Sequence, residues 1–120
     1  MKRPLLMMIG VAMWVPMALA GGFSTSHRLA DGAVAVTNAQ ANSSWSTVAV
    51  LVRFDAGTNG MVTVRRESQG ASFTLGACTF AAATNLVWVP DRDYSFGFGD
   101  VLVIESTVTN GVVQVMRRAD

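Results

Sequence analysis

The sequence has little of what most active sites are assembled from. It contains one cysteine, Cys78, one histidine, His27, and no lysine after Lys2. A single cysteine excludes an internal disulfide, whatever the redox compartment. Zinc spacings, phosphate-binding glycine loops and dinucleotide fingerprints are all missing. A nucleophile–histidine–acid set would need His27 held rigidly beside a serine and a carboxylate, yet it sits in a polar, Gly-flanked segment. Asp91, Asp93, Asp100 and Glu105 supply carboxylates for a paired-acid hydrolase, but so small a chain leaves little wall for a glycan cleft. No catalytic residue and no cofactor is therefore assigned, and the chain reads as a non-enzyme.

Long hydrophobic runs are scarce too. Leu5 to Val15 is apolar, but it is shorter than the roughly 20 residues a spanning helix requires. It follows Lys2 and Arg3 and precedes Pro16 and Ala18-Leu19-Ala20, the three-part pattern of a cleaved signal peptide. Cleavage is expected after Ala20, giving a secreted, periplasmic or extracellular protein that is not membrane-embedded once processed. Gly21 follows the site, so no thiol is there to carry a lipid. The mature chain would have 120 − 20 = 100 residues, enough for one domain.

Removing that segment reverses the charge balance. Seven arginines (28, 53, 65, 66, 92, 117 and 118) then face eight acids, for a net charge of 7 − 8 = −1 with His27 neutral. A chain of that charge is no dedicated nucleic-acid binder. The pairs Arg65-Arg66 and Arg117-Arg118 read as solvated charges at strand ends.

What remains is rich in Val, Thr, Ser, Ala and Gly. No window keeps apolar residues at helical spacing for three turns, whereas alternation recurs. Strands are expected over 33–38, 45–54, 61–67, 73–80, 86–89, 94–98, 101–107 and 112–118. The fold class is all-β, a small antiparallel β-sandwich of about seven strands, Ig-like or jelly-roll-like. The domain plan is a signal peptide at 1–20, a flexible N-terminal arm at 21–32 and one sandwich domain at 33–120. Cys78, within FTLGACTF, reads as a buried small hydrophobe, with a cross-link between subunits as the alternative.

Two glycines are expected at turns. Asn110-Gly111 has the composition of a two-residue hairpin, which would put Leu102, Ile104, Val108, Val113 and Val115 on one face. Around Gly60 the alternation favours a three-residue loop, Thr58-Asn59-Gly60, with Gly60 left-handed. VLV, TNG and V-x-V occur at 50–64 and again at 101–115, a similarity that Val-rich strands around Asn-Gly produce without duplication.

Val89 to Ser106 carries the densest aromatic and acidic cluster. An unbroken strand would point Asp100 into the face holding Phe98 and Leu102, at a cost of several kcal/mol for an unpaired carboxylate. The strand is therefore expected to break at Gly97–Asp100, with Asp100 accepting from loop N–H groups. The functional alternative is a sugar-stacking platform of Trp88, Tyr94, Phe96 and Phe98 with Asp91, Arg92 and Asp93 as polar partners. Calcium at Asp91, Asp93 and Asp100 lacks the spaced pattern of a calcium loop, so no metal is assigned. The expected role is a structural or interaction subunit of an extracellular assembly, such as a surface filament, cell-surface or virion-type component. Its partner would be protein, either itself or a host surface. A small carbohydrate-binding module is the alternative.

Overall fold

The computed structural model describes residues 22–120; the expected signal segment and cleavage site lie outside the described residues. The strands are β1 (Gly22–Arg28), β2 (Ala33–Thr37), β3 (Trp45–Ser68), β4 (Ala71–Trp88), β5 (Ser95–Phe96), β6 (Val101–Ser106) and β7 (Gly111–Ala119), with no helix among the described residues. All seven belong to one antiparallel sheet that curls.

β3 is the spine. Along one edge runs β4, hydrogen-bonded from Ser68↔Ala71 to Val50↔Trp88. Along the other edge lie β7, opposite Trp45–Phe54, and then β6, opposite Val62–Glu67. β6 and β7 are thus two segments of one interrupted line, bridged by Thr107–Asn110. β1 flanks β7 and β2 flanks β6. The β3–β4 register slips between Arg53 and Thr58, and this bend divides the sheet into two arms. Val50, Val52, Phe54, Val113 and Val115 from one arm meet Val34, Val36, Val62, Val64, Leu102 and Ile104 from the other in a single core. Period-two alternation places these residues inward.

The turns differ from those expected. Gly60 lies inside β3 opposite Phe80, and Thr58-Asn59-Gly60 forms no loop. Asn59 is used otherwise: its Oδ1 accepts the Ala82 N–H at 2.7 Å, supporting Ala82 in a left-handed conformation at φ 55°. The chain reverses instead at Gln69 (φ 52°) and Gly70 (φ 80°), a two-residue connection with both centres left-handed. Asn110-Gly111 makes no hairpin either, because β6 and β7 each pair with β3. Asn110 is left-handed at φ 64°. Gly111 is needed for close approach, since a Cβ there would lie 2.6 Å from the Arg53 carbonyl oxygen.

Three further positions depart from expectation. Residues 22–28 of the expected flexible arm form β1, paired from Gly22↔Arg118 to Arg28↔Val112. Backbone pairing to β7 gives this polar segment the partners that its side chains do not supply. Val48 is exposed although it shares parity with Val50, because a bulge between Thr47 and Ala49 turns it outward. Cys78 is exposed as well; β4 has little covering it.

Candidate interaction surface

The Trp88–Phe98 cluster is dispersed by the fold. Trp88 ends β4 with its indole across Gly76, where a Cβ would collide with Nε1, and it packs against the core. Asp91, Arg92 and Asp93 are solvated in the following loop. The Tyr94 hydroxyl donates to Asp91 Oδ1 at 2.6 Å; that bond holds the Asp91 carboxyl below its ordinary range and pushes the Tyr94 phenol up. Asp93 pairs with Arg118 at 3.2 Å.

Phe96 is fully buried, so as a member of a stacking platform it must be corrected: no ligand reaches its ring. It stacks on Trp45 with centroids 4.6 Å apart. The Arg66 guanidinium lies 5.4 Å from the Phe96 centroid on this stack. Arg117 extends it, 4.8 Å from the Trp45 ring and 4.4 Å from Phe23. The ladder Arg66–Phe96–Trp45–Arg117–Phe23 combines two guanidiniums with three aromatic rings, and it holds Arg117 between two ring faces, an arrangement that favours a desolvated guanidinium. Burial lowers the Arg117 pKa from its ordinary value.

Asp100 sits at the corner between β5 and β6, 8% exposed. Its Oδ2 accepts the Gly97 N–H at 2.9 Å and Arg66 Nη2 at 3.3 Å. Burial opposes its ionisation, but the Ser68 hydroxyl, the Gly97 N–H and Arg66 together hold its pKa below the usual carboxylate value. Buried Asn38 ties the corner to β2: its Nδ2 donates to the Phe96 carbonyl at 2.9 Å, and its backbone exchanges bonds with Gly99 and Asp100. Asp91, Asp93 and Asp100 are held by separate partners and do not converge.

Phe98 is the ring of the cluster that stays out, 64% exposed. It borders an open hollow with Asn42, Ser43, Ser44, Ala119 and Asp120. Asp120 accepts from Ser46 and Ser95, each at 2.6 Å, and from Ser44 at 2.9 Å. Those hydroxyls lower its pKa, the Ser46 bond foremost.

A second surface was not singled out by sequence reasoning. β4 runs 18 residues, ASFTLGACTFAAATNLVW, without a charged side chain or proline. Its inner edge pairs with β3; among the described residues no strand pairs with its outer edge. The successive residues Ala77, Cys78 and Thr79 are all exposed, so water reaches both faces of the strand there. Phe73 and Val87 are 54% and 65% exposed. Between β4 and β3 lies an apolar hollow of about 80 Å³ walled by Val52, Val62, Gly76, Leu86 and Trp88. The missing charge was visible in the sequence; that this segment lies at an edge was not.

No protein-family model matches the chain, and no curated protein compared with it is similar.

Proposed function

We propose that this chain is an exported, non-catalytic structural or interaction subunit of an extracellular assembly, the two arms of its curled sheet acting as the layers of a small β-sandwich. One observation carries the reading: the long, charge-free outer edge of β4. Natural sheets guard their edges with lysine, proline, inward charges or a covering element, and β4 has no such guard along 18 residues. Such an edge offers a row of main-chain donors and acceptors to an incoming strand. The other edges are better closed. β1 ends on Arg28, which pairs with Asp55 at 2.5 Å, and β2 is only five residues long. The lone histidine bonds the Thr25 hydroxyl at 2.8 Å, and that hydroxyl also accepts from Arg117 Nη2 at 3.1 Å, a contact that ties β1 to β7.

The test is the size of the secreted protein across a wide concentration range, by light scattering or sedimentation. Growth in mass with concentration is expected. A chain that stays monomeric, and captures no partner through β4, would overturn the proposal.

A second reading, a small carbohydrate-binding module, is favoured by one observation, the exposed Phe98 ring beside the polar hollow of Asn42, Ser43, Ser44 and Asp120. Of the Trp88–Phe98 residues it retains Phe98 as the stacking surface. A glycan array with wild type and Phe98→Ala decides it: binding lost in the variant supports this reading, and no binding by wild type removes it.

A further inference from the structure

We infer that the partner strand on β4 is β4 of a second copy of this chain, paired antiparallel about a twofold axis through Cys78. The inference rests on the assembly reading above and goes beyond it by naming the partner and the register.

The register follows from where β4 is regular. Gly76 to Phe80 pair with Val64 to Gly60 in five successive steps without a slip. On the N-terminal side the register shifts between Val64 and Arg65, leaving Leu75 unpaired. Toward the C-terminus the ladder is broken at Ala82, left-handed at φ 55°. A bulged or kinked stretch presents an irregular edge to any incoming strand. The longest regular window is GACTF, five pairs against four each at Ala71–Thr74 and Asn85–Trp88, and its middle residue is Cys78. A twofold axis that uses the whole window must place Cys78 opposite the partner's Cys78, Ala77 opposite the partner's Thr79, and Gly76 opposite the partner's Phe80.

Charge complementarity selects a second copy as the occupant. Directly opposed like charges destabilise a strand pair, and an edge with no charge opposes none when it meets itself. An acidic or basic strand from another protein would find no counter-charge along β4 and would lose hydration of its own charges. Symmetry supplies the other argument. A β4–β4 pair is isologous and uses up both open edges at once, so it closes as a dimer. Pairing of β4 with the short outer edge of β2 would leave one edge open and propagate.

The expected strength is modest. Five paired residues span only about 17 Å, and so short an edge buries far less than the roughly 800 Å² per partner of a standard interface. The dimer should dissociate on dilution. Opposed antiparallel residues have Cα atoms about 4.5–5.5 Å apart, so the two exposed thiols fall within reach of a short bismaleimide, which joins them through two thioethers without an oxidant.

The experiment is sedimentation of the secreted protein and three variants under reducing conditions. Wild type and Cys78→Ser should form the same concentration-dependent dimer. Cys78→Lys and Cys78→Glu each place like charges face to face and should weaken it about tenfold or more. Mixing these two variants should restore a one-to-one heterodimer, because Lys then faces Glu. Substitution at this exposed site leaves the fold intact, checked by circular dichroism. If Cys78→Lys and Cys78→Glu self-associate as wild type does, or their mixture yields no heterodimer, the twofold is wrong while the assembly reading stands. Open-ended polymers of wild type would likewise overturn closure through β4. Wild type that stays monomeric at every concentration and is not joined by the bismaleimide overturns both.

Discussion

The two ends of this sheet use aromatic and apolar residues in opposite ways. At the β5 end, Phe96 is fully buried on Trp45, and two arginines extend the stack. Along β4, Phe73 and Val87 stand more than half exposed on a strand with one hydrogen-bonded neighbour. Both regions are uncommon for a small domain, one for the buried cation of Arg117 and the other for its bare edge. The difference separates the apolar area that folding covers from the apolar area that it leaves in water. Rings closed into the ladder stabilise the monomer, whereas apolar area left in water gains stability only when another chain covers it.

The largest effect is expected at Phe96. Phe96→Ala removes a ring with no solvent exposure, and large-to-small core changes of this kind cost about 3–5 kcal/mol. It also removes the shared face that Trp45 and Arg66 use. Urea unfolding measures the loss, and a midpoint within error of wild type would dissolve the contrast between the two ends.

Asp100 comes next. Asp100→Ala leaves the Gly97 N–H and Arg66 without their acceptor, at a cost of about 1–2 kcal/mol. Its lowered pKa sets the sign of the pH effect. A carboxyl whose folded pKa lies below its unfolded value contributes stability above the unfolded pKa, about 3.9, and that contribution is lost as pH falls through the folded value. Asp120 is shifted in the same direction, so wild type should lose thermal stability below about pH 4. Asp100→Asn should flatten that acid limb without abolishing it, because Asp120 remains. Melting temperatures between neutral pH and pH 3 measure both; an Asp100→Asn limb as steep as wild type would remove Asp100 from the account.

How much of this was legible depends on what alternation can report. Period two tells which face a side chain occupies, and Val34, Val36, Val50, Val52, Leu102, Ile104, Val113 and Val115 are buried on that pattern. It does not tell which strand lies alongside. Leu102 and Val113 share a face whether β6 and β7 form a hairpin or lie end to end against β3, so the Asn110-Gly111 hairpin could satisfy the pattern and still be absent. The polar run DAGTNG at 55–60 resembled a turn, yet it lies within β3, where Asn59 and Gly60 serve the bend. The actual reversal carries Gln69-Gly70, a weaker turn signal than Asn-Gly. Arg66 and Arg117 were within reach of the same rule: each continues an inward parity, Val62-Val64-Arg66 and Val113-Val115-Arg117. Charge alone suggested solvent. The corner at Asp100 was readable because a carboxylate in an apolar register forces a break. The openness of β4 depends on how many strands exist and in what order, which no local pattern carries.

At the Gln69-Gly70 turn a smaller effect isolates backbone from packing. Gly70 has φ +80°, and a Cβ added there meets nothing within 4 Å. Gly70→Ala is therefore expected to destabilise by about 1 kcal/mol through conformation alone. Gly111 is not left-handed, so Gly111→Ala acts through contact alone, and it should cost more because its Cβ would lie 2.6 Å from the Arg53 carbonyl oxygen. A Gly111→Ala variant as stable as wild type would mean that β3 gives way to the added Cβ without cost.

The smallest effect belongs to the exposed side of the comparison. Phe73→Ala should change monomer stability by no more than about 0.5 kcal/mol, as surface substitutions usually do. The ring is 54% exposed, so its removal leaves no cavity for the core to fill. Cys78→Ser should be as mild, and the wild-type thiol should react with a polar thiol reagent in the native state at close to the rate of the unfolded chain. Protection of that thiol at low concentration would mean that β4 is covered within the monomer. Protection that appears only as concentration rises is the result expected if the edge is covered by a second copy, and it would tie the exposed half of the comparison to association rather than to folding.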